Sequence, residues 1–415
     1  MDFSLTEEQK QLRELVKQFC KREIDPKRLG ELEARTAAAR TVAELKASCP
    51  YDLFEKMHAV GLRQIQIPAK YGGTAPETDV NQTMTALFEE AGYWGGAGFL
   101  MTPIGAFTST AKTYITEEQK EWIFSKLLNN PRLMISQTIS EPAGATDIHL
   151  PYDEGGGSIL KVTARREGNE WVINGDKMYS SGTGVADYIM VVARTDKEAP
   201  VSQAMSYFWV PADAPGVTIT PNKMIAIGFG GNCQNHFDNV RIPAGNLIGQ
   251  VNKGYAILEA FFESMFTVVA GELGGMQRFY EAMREYARQR TGGGKTLIQH
   301  SSIAAKLGEI AIHLEALRNY VYRAAWESDQ VEKSSAPGTR KVNLFWSQSA
   351  YAFYKQISWR FCEVATDIYG GMSGSVDFPL EGFMRHTFVS RAAGLTINVE
   401  LMRSCWDYDG RYICL

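Results

Sequence analysis

The texture of the chain changes twice, and those two changes restrict its fold more than any other feature. From about residue 136 to 248 it runs in short β-branched or aromatic stretches, "LKVTARREGNEWVINGDKMYSS", "YIMVVART", "MSYFWVP" and "VTITPNKM", separated by Gly, Asn, Asp and Pro. Such spacing predicts strands joined by tight turns and suits an antiparallel barrel or sandwich rather than βαβ units. On either side the periodicity is helical. In "SLTEEQKQLRELVKQFCKREI", Leu12, Leu15, Val16, Phe19 and Cys20 recur at helical spacing, and Ser4 with Glu7 fits a capping box. A second amphipathic run covers about 32–60, and after the break at "IQIPAKYGG" a further helix follows in "TDVNQTMTALFEEAGY". Beyond "RIPAGNLIGQVNKGY" helices are expected over about 253–289, 297–329, 340–370 and 379–404, punctuated by "TGGGK" and "YGGMSGS". Helices of that length must bury their apolar faces on one another, which implies a bundle. Three domains are therefore expected, at 1–135, 136–248 and 249–415: helical, β and helical.

The bulk properties exclude several classes. At 415 residues the chain exceeds one ordinary core, and 45% hydrophobic with 22% charged residues fits a globular protein. A net charge of −4, with Lys and Arg spread along the chain, leaves no footprint for nucleic acid. Apolar runs such as "IMVVA" at 189–193 fall far short of the roughly 18 residues a membrane-spanning helix needs. The start, "MDFSLTEEQK", lacks the layout of a signal peptide, so a cytoplasmic location is expected. Cys20, Cys49, Cys233, Cys362, Cys405 and Cys414 include no close pair and the histidines no ligand spacing, so neither a disulfide framework nor a metal site is expected.

Six phrases, in order, carry a resemblance over almost the whole chain: "IQIPAKYGG", "SQTISEPAGATD", "WVINGDKMYSSG", "FDNVRIPAGNLIG", "GKTLIQHSSIAAKLGEI" and "DIYGGMSGSVDFPLEGFMRH". Together they resemble the acyl-CoA dehydrogenase family. The resemblance implies an α+β multidomain fold: an N-terminal helical domain, a middle antiparallel β-barrel and a C-terminal four-helix bundle. It also implies FAD between the β domain and the bundle, assembly into a homodimer or homotetramer, and an electron-transferring flavoprotein as redox partner. The implied chemistry is FAD-dependent oxidation of an acyl-CoA thioester. A carboxylate removes the α-proton, hydride leaves the β-carbon for the flavin, and a backbone N–H with a flavin hydroxyl polarises the acyl carbonyl.

Carried over by that resemblance, Thr138, Ser140, Tyr179, Ser180 and Ser181 contact the flavin, and Thr146 lies near the CoA chain. Arg290 reaches a neighbouring subunit's pyrophosphate, as suits a planar cation. Asp367 stands where a glutamine is usual and would repel pyrophosphate unless another cation intervened. Gly370 and Gly371 permit close backbone approach, or form an ordinary helix cap. Thr396 and Asn398 contact the flavin or only solvate a helix start. Gly293 and Ser301 replace an aromatic and a glutamine, so this edge of the site is altered.

The family's catalytic glutamate falls on Gly394, and the tyrosine before it on Ala393. Gly394 keeps its N–H, but nothing there accepts a proton. The other place where the family keeps a base corresponds to Met265. Glu272 lies seven residues further on nearly the same helix face, leaning back toward the Met265 position, and burial would raise its pKa toward that of a useful base. Met265, Val269 and Ala393 are expected to border the substrate. Glu263, turned about 200° round the helix from Met265, is expected toward the CoA chain or solvent. His386 is a further titratable candidate. Glu141 and Asp147 are read as turn-shaping groups. Small residues at Ala392, Ala393 and Gly394 leave room for a cyclic, branched or dicarboxylic acyl group. The alternatives are a monooxygenase or decarboxylating enzyme on the same fold, a non-catalytic subunit of a heteromeric dehydrogenase, or a binding-only module.

Overall fold

A computed structural model describes residues 5–96, 98, 114–145, 148, 160–226, 228–335, 344–376 and 378–410. The N-terminal region is helical: α1 (Glu7–Glu23), α2 (Pro26–Ala38), α3 (Val42–Ser48), α4 (Tyr51–Ala59), α5 (Val80–Tyr93) and α6 (Glu117–Asn129). The capping box of α1 is made by Thr6 and Gln9 rather than by Ser4 and Glu7. The Thr6 hydroxyl accepts from the Gln9 N–H at 3.2 Å, and Gln9 Oε1 accepts from the Thr6 N–H at 3.0 Å. The amphipathic run expected over 32–60 divides into α2, α3 and α4, because Thr41 with Glu44 opens a new helix and Pro50 another. Every residue of α5 from Thr83 to Gly92 is buried.

The middle region holds β1 (Ile135–Thr138), β2 (Thr163–Glu167), β3 (Glu170–Ser181), β4 (Tyr188–Arg194), a short α7 (Val201–Ala204), β5 (Met205–Pro211), β6 (Val217–Pro221), β7 (Asn232–Pro243) and β8 (Leu247–Ile248). They form one sheet in the order β6-β7-β3-β2-β4-β5-β8, with β1 beside β4. Two features correct the expected antiparallel barrel. The sheet is not closed among the described residues: β6 and β8 remain its edges, and β8 has only two residues before the chain leaves for the next helix. It is also mixed, since β1 and β2 meet β4 in parallel. The near-continuous apolar run of β4 follows from covering on both faces. Ile189, Val191 and Ala193 pack with Trp171, Phe208 and Phe237 inside the curved sheet, while Met190 and Val192 join the core shared with the helices.

The C-terminal region comprises α8 (Gly254–Glu263), α9 (Met265–Gln289), a small hairpin of β9 (Thr291–Gly292) and β10 (Lys295–Thr296), α10 (Ser301–Ser334), α11 (Phe345–Tyr369), α12 (Pro379–Ser390) and α13 (Ile397–Trp406). Helices α9, α10 and α11 pack pairwise and α13 lies against α11, so four of the six described helices form the bundle. Two expected helices are broken. Ser264, whose hydroxyl bonds Phe261 O at 2.7 Å, separates α8 from α9. Residues 391–396 separate α12 from α13, with Gly394 at φ +71°.

The N-terminal region is keyed to the bundle by glycines where α5 crosses α9. A Cβ on Gly92 would lie 1.9 Å from Gly271 O, and one on Gly274 1.9 Å from Glu89 O. Gly274→Ala is therefore expected to destabilise the protein by about 1–3 kcal/mol in chemical denaturation, despite the better helix propensity of Ala. Gly275→Ala, whose Cβ would meet Gly92 O at an ordinary 3.8 Å, is expected to be tolerated. Equal effects would refute the close crossing.

Candidate active site

At the β-domain edge a buried ion pair joins two segments. Lys177 Nζ lies 2.7 Å from Glu141 Oε1, and both side chains are fully buried. Lys177 also donates to Ile139 O at 2.8 Å, and Glu141 accepts the N–H groups of Lys161 and Val162 at 2.5 and 3.1 Å. Burial pulls the Lys177 ammonium down to about 8 against the pull of Glu141. Glu141 thus shapes the turn, as its position in the sequence suggested; Asp147 and Thr146 lie outside the described residues.

This clamp brings the sequence-predicted β-edge residues together. The Thr138 and Ser180 hydroxyls are 2.5 Å apart, Ser140 O accepts from Met178 N–H at 2.9 Å, and Ser136 Oγ donates to Ser181 O at 2.6 Å. Between Lys177 and Ser180 the pairing of β3 with β7 slips, and Tyr179 adopts φ +54° with 58% of its surface exposed. A positive φ is rare for a bulky residue and marks a locally costly conformation. The slip turns the aromatic outward, beside the buried Thr138 and Ser180 and the exposed Ser181. An outward aromatic next to a hydroxyl cluster fits a planar, hydrogen-bonding ring system.

At the bundle edge, Arg290 is exposed just beyond α9, and its guanidinium has no partner among the described residues. Gly293 has φ +58°, a conformation that disfavours the aromatic expected there. Asp367 is neutralised by a cation: Lys306 Nζ of α10 lies 2.5 Å from its Oδ2. Gly370 ends α11 at φ +58°, and a Cβ on Gly370 or Gly371 would meet nothing within 4 Å. Thr396 and Asn398 are exposed at the start of α13, where the Thr396 carbonyl accepts from Val399 and Glu400.

The two groups treated separately in the sequence, Glu272 and His386, meet. His386 Nε2 is 2.8 Å from Glu272 Oε1, and the Tyr354 hydroxyl donates to Glu272 Oε2 at 3.1 Å. The Glu272 side chain retains 23% of its accessibility and that of His386 51%. The expectation of a raised Glu272 pKa is corrected here. Burial pushes the carboxyl up, but the His386 charge and the hydrogen bonds from His386 and Tyr354 outweigh it and hold the carboxyl below its ordinary value. The Glu272 charge in turn, against burial, raises the His386 imidazolium to about 9.

Met265 and Val269 are buried on α9, at 8% and 0% exposure. Glu263 is buried rather than solvent-facing. The helix breaks at Ser264, so a rotation of 100° per residue does not carry across from Met265. Ala393 and Gly394 are exposed on the 391–396 loop. Tyr351 bridges this loop to Glu272: its hydroxyl donates to Ala393 O at 3.4 Å, and its ring stacks at 6.2 Å on Tyr354. Tyr351, Tyr354 and Lys355 went unnoticed in the sequence. The signal was present in "YAFYKQ", which sets two hydroxyls and a cation at i, i+3 and i+4 on one helix face. Among the described residues no three His, Cys, Asp or Glu side chains gather to hold a metal ion, and no helix is long and apolar enough to cross a membrane.

Residues 6–130 match the sequence model "Acyl-CoA dehydrogenase, N-terminal domain", 137–240 the middle domain and 252–403 the C-terminal domain. The chain belongs to the acyl-CoA dehydrogenase family. Members are FAD-binding oxidoreductases of acyl-CoA thioesters. It is 29% identical to "Probable acyl-CoA dehydrogenase YngJ" of Bacillus subtilis over 93% of each chain. It is 27% identical to "Cyclohexane-1-carbonyl-CoA dehydrogenase" of Geobacter metallireducens over 92% of each. The structure of butyryl-CoA dehydrogenase from Megasphaera elsdenii shares the fold, with TM-score 0.83, 23% identity and coverage of 98% of this chain and 100% of that one.

The Glu272–His386 pair makes a pH prediction. Because the folded pKa of His386 is raised, its stabilising contribution is full below the unfolded value of 6.5 and is lost as pH rises through about 9. Thermal unfolding across that window is expected to show wild type losing stability relative to His386→Gln. A constant difference between the two would refute the pairing.

Proposed function

We propose that this family member catalyses α,β-dehydrogenation of a bulky acyl-CoA, of the cyclic, branched or dicarboxylic kind, with Glu272 as a relocated base. The observation that carries this is the Glu272 carboxylate on α9. It is partly exposed, bonded to His386 and Tyr354, and linked through the Tyr354–Tyr351 stack to the loop that carries Gly394. The likeness to a dehydrogenase named for cyclohexane-1-carbonyl-CoA supports the cyclic choice.

FAD, when bound, supplies the acceptor for the β-hydride. In this reading Thr138, Ser140, Tyr179, Ser180 and Ser181 hold one side of the ring, and Thr396, Asn398, Gly370 and Gly371 line the other. Arg290 reaches a partner's pyrophosphate in a homodimer or homotetramer, and Lys306 offsets the charge of Asp367. Met265, Val269, Ala393 and Glu263 border the acyl group, with Thr146 toward the CoA chain. The α-C–H bond breaks toward Glu272 Oε, its electron pair moves into the enolate, and the Gly394 N–H stabilises the developing oxygen charge. His386, an imidazolium below about 9, keeps Glu272 ionised before the transfer, and the proton then leaves the partly exposed Glu272 for solvent. An electron-transferring flavoprotein in the cytoplasm would take the electrons.

Mixing the holoprotein anaerobically with cyclic and linear acyl-CoA esters tests this. Wild type is expected to lose its flavin absorbance fastest with the cyclic ester. Glu272→Gln is expected to retain its flavin and slow the bleaching by about 100-fold or more. An unchanged rate in that variant, or turnover that consumes oxygen without forming an enoyl-CoA, would overturn the reading.

A further inference from the structure

The mechanism above leaves unused a second fully buried ion pair, Lys355 Nζ to Glu400 Oε1 at 2.7 Å. Lys355 stands on α11 and Glu400 in the first turns of α13. Besides Glu400, the ammonium donates to Ala393 O at 2.9 Å and Leu395 O at 2.5 Å, so all three of its protons are engaged. Those two carbonyls flank Gly394. Arg391, at the loop's near end, donates to Lys355 O at 3.1 Å, and Glu400 ties the far end. One lysine thus fixes the backbone on each side of the residue that stands where the family keeps its base.

Peptide geometry converts that grip into a direction. In a trans peptide the carbonyl and the following N–H point opposite ways. The Ala393 carbonyl is drawn inward to the buried ammonium, so the Gly394 N–H of the same peptide faces outward. It makes no hydrogen bond among the described residues, and Ala392, Ala393 and Gly394 are exposed while Leu395 beneath them is fully buried. The φ of +71° at Gly394 keeps this turn open to glycine, and a Cβ there would lie 3.0 Å from Tyr351 Cε1. Burying a lysine and a glutamate is costly, and such a pair persists where it specifies one conformation.

We propose that Lys355, held by Glu400, is the positioning residue that aims the Gly394 amide at the thioester carbonyl. This rests on the reading of Gly394 as the polarising donor. The test is infrared difference spectroscopy of the holoprotein bound to a cyclic enoyl-CoA isotope-labelled at the thioester carbonyl. Wild type is expected to lower the carbonyl stretch relative to the free ligand. Lys355→Met is expected to lose most of that shift and Lys355→Arg to restore part of it. In turnover, Lys355→Met should lower kcat by about 10- to 100-fold while KM changes less than about threefold. A full shift retained in Lys355→Met would overturn the positioning role while leaving the dehydrogenase reading intact. The absence of any shift in wild type would remove the polarising role of Gly394, and the proposal with it. If Lys355→Met fails to accumulate with flavin, Lys355→Gln, which can still reach one carbonyl, is expected to keep an intermediate shift. A wild-type shift in that variant would likewise overturn the proposal.

Discussion

One turn of α11 holds two elements in register: α9, which carries Glu272, and the loop that carries Gly394. Tyr354 reaches Glu272 on α9, while Lys355, the next residue, grips the carbonyls of Ala393 and Leu395. Tyr351, one turn earlier, stacks on Tyr354 and touches the same loop. The separation between Glu272 and the Gly394 loop is therefore set by a helix, the stiffest available spacer, rather than by the loop. The Gly92 and Gly274 contacts extend that rigidity into the N-terminal region by letting α5 lie against α9 with backbone almost touching backbone.

The same device appears at the β-domain edge. Lys177 and Glu141 are buried as completely as Lys355 and Glu400; Lys177 also donates to one backbone carbonyl, that of Ile139, and Lys355 to two. Two ions leave water at a cost that their attraction alone rarely recovers, so these pairs are better read as fixing local backbone than as adding stability. One holds the hydroxyl ledge beneath the outward Tyr179; the other holds the loop around Gly394. Glu272 differs in being partly accessible, and its neighbour His386 opens to solvent.

Much of the fold was legible in the sequence, because hydrophobic period reports directly on which faces are covered. The α-β-α order followed from it, but few helix ends did, and the helix at Glu117–Asn129 was not foreseen. The closed barrel did not, because closure depends on whether distant edge strands meet, and β8 is too short to do so. The break at Ser264 was invisible to periodicity, since apolar residues continue through "FFESMF"; that break buried Glu263. At the site, type and spacing led to Glu272 and separately to His386, but their union 114 residues apart is a tertiary fact. It reversed the inferred pKa direction, since burial had been weighed without the cation that answers it. Lys355 was missed because a lone lysine in a helix usually snorkels to solvent, and only the fold shows this one turned inward.

The most direct measurement is a crystal structure of the holoprotein with a non-oxidisable cyclic acyl-CoA analogue. Glu272 as the base requires its carboxylate about 3–3.5 Å from the α-carbon, with the thioester oxygen on the Gly394 amide. An α-carbon that faces away from α9, with Glu272 still locked to His386 and out of contact with the ligand, would contradict it.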